Sequence, residues 1–186
     1  AQAAPIGEAT GLLQIKEAVA ADLLERAEEP GRVTQRGLLD EFAAHVRSFL
    51  SDAGALRPLR VVADTANGMG GLVVPAVFEA LPFDLTILYP ELDGTFPNHP
   101  ADPIQPENLV DLQRAVIEHG ADIGLAFDGD ADRVFLVDDR AEPVSGSLTT
   151  AIVAHGILER TGPGETVVHN LICSKAVPEE IGRAHV

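Results

Sequence analysis

Apolar residues recur along the chain in two rhythms, one helical and one strand-like, and the change from one to the other marks out its elements. Residues 11–28, GLLQIKEAVAADLLERAE, carry Leu12, Ile15, Val19, Leu23 and Leu24 at intervals close to one helical face. The EEPG run at 28–31 breaks that face. Thr34 then offers an N-cap for a second helix through LLDEFAAHVRSFL, which ends near 51–54. A Val-rich run, LRVVADT at 59–65, predicts the first strand, stopped by the turn ANGMGG and followed by a helix through LVVPAVFEAL with Pro75 early in it. FDLTILYP at 83–90 predicts a second strand. After the loop ELDGTFPNHPADPIQPEN comes a helix with Pro106 in its first turn and Gly120 beyond its end. ADIGLAFDGD supplies a third strand and VFLVDD, 134–139, a fourth. The link between them, DGDADR, is too short for a crossover, so these two strands form an antiparallel hairpin.

Residues 146–160 predict a last full helix, TGPGE a linker, TVVHNLI at 166–172 a further strand, and SKAVPEEIGR the start of another helix. The expected fold is α/β: a mixed β-sheet flanked by helices, with strands three and four joined by an acidic loop. At 186 residues the chain is expected to hold one complete core, and its two opening helices and its closing strand and helix start read as pieces of neighbouring domains.

Charge narrows the partners. Thirteen basic residues stand against 29 acidic ones, a formal net charge of -16, and no Lys/Arg cluster can track a phosphate backbone. Nucleic acid and anionic membranes are therefore excluded as partners. No apolar run reaches the length of a membrane span, the first thirty residues lack a secretory pattern, and one cysteine cannot make an internal disulfide. A cytoplasmic protein is expected.

The chemistry gathers in IGLAFDGDADRVFLVDD, 123–139. An apolar strand delivers Asp128 to the carboxyl edge of the sheet, where α/β proteins collect ligands. Read as an extended loop, it points residues two apart the same way, so Asp128, Asp130 and Asp132 present three carboxylates to one point. Three hard oxygens suit a divalent cation such as Mg²⁺. A solvated acidic turn is the plain alternative. An EF-hand fits poorly, since Arg133 stands where that loop needs Gly and Asp139 where it needs Glu. A haloacid-dehalogenase-type phosphatase, with Asp128 as nucleophile, and a non-catalytic acidic interaction module both stay open.

FDGDADR followed by VFLVDD resembles the metal-binding loop of the α-D-phosphohexomutases, the phosphomannomutase and phosphoglucomutase family. VVADTANGMGG resembles the opening strand and glycine turn of that family's second domain, GTFPNHPADPIQPENL the loop and helix that follow, and NLICSKAV the start of its third domain. The resemblance implies three pieces: the end of a first domain at 1–33, a metal-binding α/β domain at 34–162, and the start of a truncated third domain at 163–186.

Members of this family move a phosphoryl group between the 1- and 6-positions of a hexose through a phosphoserine and a bisphosphorylated sugar. The implied partners are thus a hexose phosphate and a hexose bisphosphate, the cofactor Mg²⁺, its ligands Asp128, Asp130 and Asp132, and the phosphate- or sugar-binding residue Arg133. For Arg133 a salt bridge to its own aspartates is the competing role. The family's TASHNP-like nucleophile segment has no match in residues 1–58, so no catalytic residue is assigned and the 186 residues alone are expected to lack turnover. The sugar-selecting and phosphate-capturing loops of the family are not matched either, which leaves the choice of hexose and the oligomeric state open.

Other polar residues read as structural. Asn98 and His99 suit a loop held by side-chain hydrogen bonds, and Asp64 and Asn67 the capping of a tight turn. His45, His119, His155, His169 and His185 show no metal-ligand spacing, and Cys173 reads as buried packing in a strand.

Overall fold

The structure is a computed structural model and describes residues 4–23, 29, 31–50, 56–162 and 164–184. It divides into two compact units, Ala1–Gly37 and Leu38–Val186. In the first, a 3₁₀ turn (Glu8–Thr10) leads into helix α1 (Leu12–Ala20). Leu12, Ile15 and Val19, the apolar face expected from the sequence, are all exposed within this unit. Leu24 and the remainder of the expected helix lie outside the described residues.

The second unit opens with helix α2 (Leu39–Arg47), N-capped at Leu38 and not at Thr34. Residues 31–38 are non-helical and exposed. Gly37 disfavours a helix there, whereas Asp40 and Glu41 in the first turn suit the positive end of a helix that begins later. Arg47, in its last turn, donates from Nη1 to the carbonyls of Ala76 (2.7 Å) and Val77 (3.2 Å) and so ties α2 to helix α3 (Gly70–Phe78).

The sheet has five strands in the order β2-β1-β3-β4-β5. β1 (Leu59–Asp64) lies in its interior, parallel to β2 (Phe83–Leu88) on one side and to β3 (Ile123–Phe127) on the other. That position explains its unbroken apolar run, since residues 61–64 are all buried. β4 (Val134–Val137) returns antiparallel to β3, as the short link demands. A two-residue strand, β5 (Pro143–Val144), was not expected; it pairs antiparallel with β4 and ends the sheet on that side.

The 3₁₀ turn Pro106–Leu109 runs into helix α4 (Val110–His119), which stops at Gly120 in the left-handed conformation. Its buried face, Leu112, Ala115 and Val116, packs on Val62, Ala126 and Val137 to make the core. Gly124 permits this approach, because a Cβ there would lie 2.8 Å from Val116 Cγ2.

Helix α5 (Gly146–Thr161) begins at Ser145, whose hydroxyl accepts the Leu148 N–H, and packs on helix α6 (Ala176–Ala184). His155 stands 3.1 Å from both Glu159 and Glu180 across that pair.

The strand expected at 166–172 does not form. Its Val and Ile residues suit a strand, but no neighbouring strand pairs with it among the described residues. Val168 and Leu171 stand 90% and 103% exposed. Cys173 is consequently in a turn, half-buried, with its N–H donated to Asn170 Oδ1 at 3.1 Å. No helix of the described residues is long and apolar enough to cross a membrane.

Candidate metal centre

The carboxyl ends of β1 and β3 lie side by side, with Asp64 paired to Ala126 in register. Two residues beyond Ala126, Asp128 starts the β3–β4 loop. Its backbone exchanges a hydrogen bond with Arg133 (3.3 Å), and Ala131 N–H donates to the Asp128 carbonyl at 3.1 Å. The loop is thus curled and not extended. Its left-handed residue is Ala131, at φ 59°. The expected convergence occurs by this different route: carboxylate oxygens of Asp128, Asp130 and Asp132 lie within 4.8 Å of one another. They are the one such group of His, Cys, Asp or Glu among the described residues.

The three carboxylates differ in setting. Asp128 is buried, 1% exposed; its Oδ1 accepts the Arg133 N–H (3.0 Å) and its Oδ2 the Arg133 Nε–H (2.7 Å). Burial pushes its carboxyl up, but these Arg133 bonds outweigh that and hold it below the ordinary carboxylate range. Asp132 is 71% exposed and lies 3.4 Å from Arg133 Nε. Its carboxyl is raised, first by the charge of Asp130, then by partial burial and by Asp128. The salt bridge foreseen as the competing role of Arg133 is therefore present, on Asp128 and Asp132 together.

Hard oxygen donors, crowded enough that the charge of Asp130 raises the Asp132 carboxyl, fit a divalent cation. Ligand oxygens around Mg²⁺ stand about 3 Å apart. Asp130 and Asp132, both exposed, have the freedom to close from their present spread onto the fixed Asp128.

Two neighbours wall the loop. From the turn after β1, Met69 N–H donates to the Gly129 carbonyl at 2.9 Å. From the 90–105 segment, Phe96 and Ala101 face Gly129; a Cβ there would meet Phe96 Cζ at 3.3 Å and Ala101 Cβ at 3.7 Å. Asp102 also acts electrostatically on Arg133. Sequence reading missed these residues. Their signal was the glycine turn ANGMGG and the Pro-punctuated FPNHPADP, but nothing local says that two segments some 30 residues apart face the same loop.

Asn98, His99, Asp64 and Asn67 hold the walls, as expected. Asn98 Nδ2 donates to Asn67 Oδ1 (2.7 Å), and Asn67 Nδ2 to the Glu91 carbonyl (3.0 Å). Asp64 Oδ1 accepts the Ala66 N–H, while Oδ2 lies 3.0 Å from His99 Nε2. His99 Nδ1 lies 3.0 Å from the Pro100 carbonyl, so the ring bridges that carbonyl and Asp64. Burial raises the Asp64 carboxyl, against the pull of His99. Beside this pair, Tyr89 donates to Asp111 at 2.7 Å, which pushes its hydroxyl up to about 12.

Known proteins resemble this chain in sequence and fold. The model of "phosphoglucomutase/phosphomannomutase, alpha/beta/alpha domain II" matches residues 40–142. A protein of Xanthomonas campestris pv. campestris described as "phosphohexose mutases" is 38% identical over 169 residues, covering 91% of this chain and 37% of that protein. A phosphomannomutase/phosphoglucomutase of Pseudomonas putida is 40% identical over 145 residues, 78% of this chain and 30% of the relative. A solved phosphoglucomutase/phosphomannomutase family structure from Burkholderia thailandensis superposes with a TM-score of 0.78 at 27% identity, covering 97% of this chain and 38% of that one. The chain spans well under half the length of these relatives. With residues 40–142 matched to its α/β/α second domain, the chain belongs to the phosphoglucomutase/phosphomannomutase family, the α-D-phosphohexomutases.

Proposed function

We propose that this chain carries the ion-binding domain of a phosphohexomutase, an isomerase that moves a phosphoryl group within a hexose phosphate. The observation that carries the reading is the convergence of Asp128, Asp130 and Asp132 within 4.8 Å on a loop inside the family-matched residues. Bound there, Mg²⁺ would supply positive charge against that of the transferring phosphoryl. Asp128, tied at both oxygens, is the fixed ligand, and Asp130 and Asp132 close on the ion from the solvent side. Each Asp128 oxygen keeps a second lone pair for this. Arg133 engages Asp128 through Nε, so its two terminal nitrogens are the part that meets the phosphate or sugar, a task for which a planar fork of donors is suited.

The reading goes with a cytoplasmic enzyme acting on hexose phosphate and hexose bisphosphate. Its domain boundaries are 1–33, 34–162 and 163–186. A covalent role for Asp128, as in a phosphatase, is disfavoured by the match of residues 40–142 to a phosphoglucomutase/phosphomannomutase domain.

The test is a Mn²⁺ titration of the chain and of Asp130→Ala, with a phosphoglucomutase assay alongside. Wild type binds, and the variant loses affinity at least 100-fold. Neither turns over sugar phosphate, because no phosphoserine segment is matched in these residues. Equal binding by the two chains would refute the ligand assignment, and turnover free of host enzyme would refute the inactivity.

A further inference from the structure

We propose that Gly68 is a positioning residue for the ion site: with no side chain at 68, the Met69 N–H reaches the Gly129 carbonyl and fixes the backbone between Asp128 and Asp130. The inference rests on the metal-centre reading and adds to it a residue outside the acidic loop.

Space, and not backbone conformation, demands this glycine. Gly68 is not among the residues with positive φ, so its own backbone would accept alanine. The neighbour would not: a Cβ at 68 would stand 2.6 Å from the Gly129 oxygen, 3.0 Å from its Cα and 3.1 Å from its carbonyl carbon. All three are backbone atoms, so no flexible side-chain end can give way.

Which of the two segments would move follows from their anchors. The turn is pinned on its far side: Gly68 N–H donates to the Thr65 carbonyl (2.7 Å), Asn67 N–H to the Tyr89 carbonyl (3.0 Å) and the Thr65 hydroxyl to the same Tyr89 carbonyl (2.8 Å). Ala66 and Asn67 in that turn are buried. Asp130 and Asp132, by contrast, are exposed. An added methyl at 68 therefore displaces the Gly129 peptide, which is bounded on its other side by Phe96 and Ala101. Because Gly129 links Asp128 to Asp130, that displacement spreads the carboxylates.

The test titrates Mn²⁺ into the full chain as wild type, Gly68→Ala and Gly124→Ala, read by water-proton relaxation, with melting temperatures and metal-free amide exchange measured in parallel. Gly68→Ala is expected to weaken Mn²⁺ at least tenfold and to speed exchange of the 130–132 amides. Gly124→Ala, whose Cβ presses on Val116 in the core, lowers the melting temperature and shifts Mn²⁺ affinity less than twofold. Wild-type binding retained by Gly68→Ala overturns this inference alone, and equal losses in both variants overturn it as mere destabilisation. No binding by wild type overturns the metal reading and the inference with it. Should Gly68→Ala not fold, the wild-type chain decides: saturating Mg²⁺ slows exchange of the Met69 amide at least threefold, and an unchanged Met69 amide refutes the role.

Discussion

Two turns in this protein share nearly the same chemistry, and only one has the makings of a site. The loop at 128–133 and the turn at 138–142 each open with an Asp. In each, the Asp Oδ1 accepts the N–H of the closing residue: Arg133 to Asp128 at 3.0 Å, Glu142 to Asp138 at 2.8 Å. Both place an alanine in the left-handed region, Ala131 at 59° and Ala141 at 64°. Each has an arginine on its leading Asp, at 2.7 Å from Arg133 and 3.4 Å from Arg140.

What separates them is the neighbourhood. Asp128 is buried and its loop is walled by Met69 and Phe96, and two further carboxylates come within reach. Asp138 is half-buried, and Asp139 beside it joins no cluster of potential ligands. An acidic turn is thus ordinary local chemistry; tertiary packing around it gathers a ligand set.

The sharpest way to break this contrast is at the second acidic position of each turn. Asp139→Ala should leave Mn²⁺ affinity within twofold of wild type, against the hundredfold loss expected for Asp130→Ala. A loss in Asp139→Ala would mean that the ion is held by diffuse charge.

Next in size is the leading residue. Asp128→Asn removes a charge-assisted bond to Arg133 at a buried carboxylate. We expect a loss of about 1 kcal/mol by urea unfolding, below the usual value because Arg133 faces water and repulsion within the cluster is relieved. Asp138→Asn keeps an acceptor for the backbone N–H groups and should cost less. Equal losses would erase the difference in burial as a cause.

Acid titration separates the turns more finely. Backbone bonds from Glu142 and Arg140, with the charge of Arg140, hold the Asp138 carboxyl down, as Arg133 does for Asp128. A lowered folded value means stability that is present above the ordinary carboxylate range, near about pH 4, and lost as pH falls through the folded value. Asp64 runs the other way, since its raised carboxyl takes up a proton more readily when folded, so stability gains as pH falls toward the ordinary range. Replacing Asp138 with Asn should therefore lower the neutral plateau slightly and flatten the melting-temperature loss below about pH 4. An unchanged acid limb would remove Asp138 as a contributor.

The smallest effect concerns the alanines. Glycine at 131 or 141 relieves left-handed strain but enlarges the unfolded ensemble, so stability should shift by under about 0.5 kcal/mol in either direction. Only Ala131→Gly should also weaken Mn²⁺, by two- to threefold. Equal behaviour in both would mean that curl at Ala131 does not set the carboxylates.

This division explains what was legible beforehand. Val-rich β1, the Gly120 stop of α4 and the short β3–β4 link are decided by neighbours in sequence, and all three were read correctly. The convergence of the three aspartates was also legible, although for the wrong geometry: alternation was expected, and the turn at Ala131 achieves it. Thr34 failed as a cap because a suitable side chain does not start a helix where Gly37 follows three residues on. The strand at 166–172 failed because β-branched apolar residues favour a strand but cannot supply a partner for it to pair with. The walls at Gly68 and Phe96 depend on contacts across distant segments, so no local pattern announced them.

The uneven ends of the sheet bear on how the protein behaves in concentrated solution. On one flank β5 is two residues long and begins with Pro143, which has no N–H to offer, so that edge is a poor template for a strand from another molecule. The other flank is β2, six residues long and paired among the described residues only with β1. If copies of this chain add to one another strand by strand, β2 is the side from which such growth starts, and a proline or charge introduced there is the means of suppressing it.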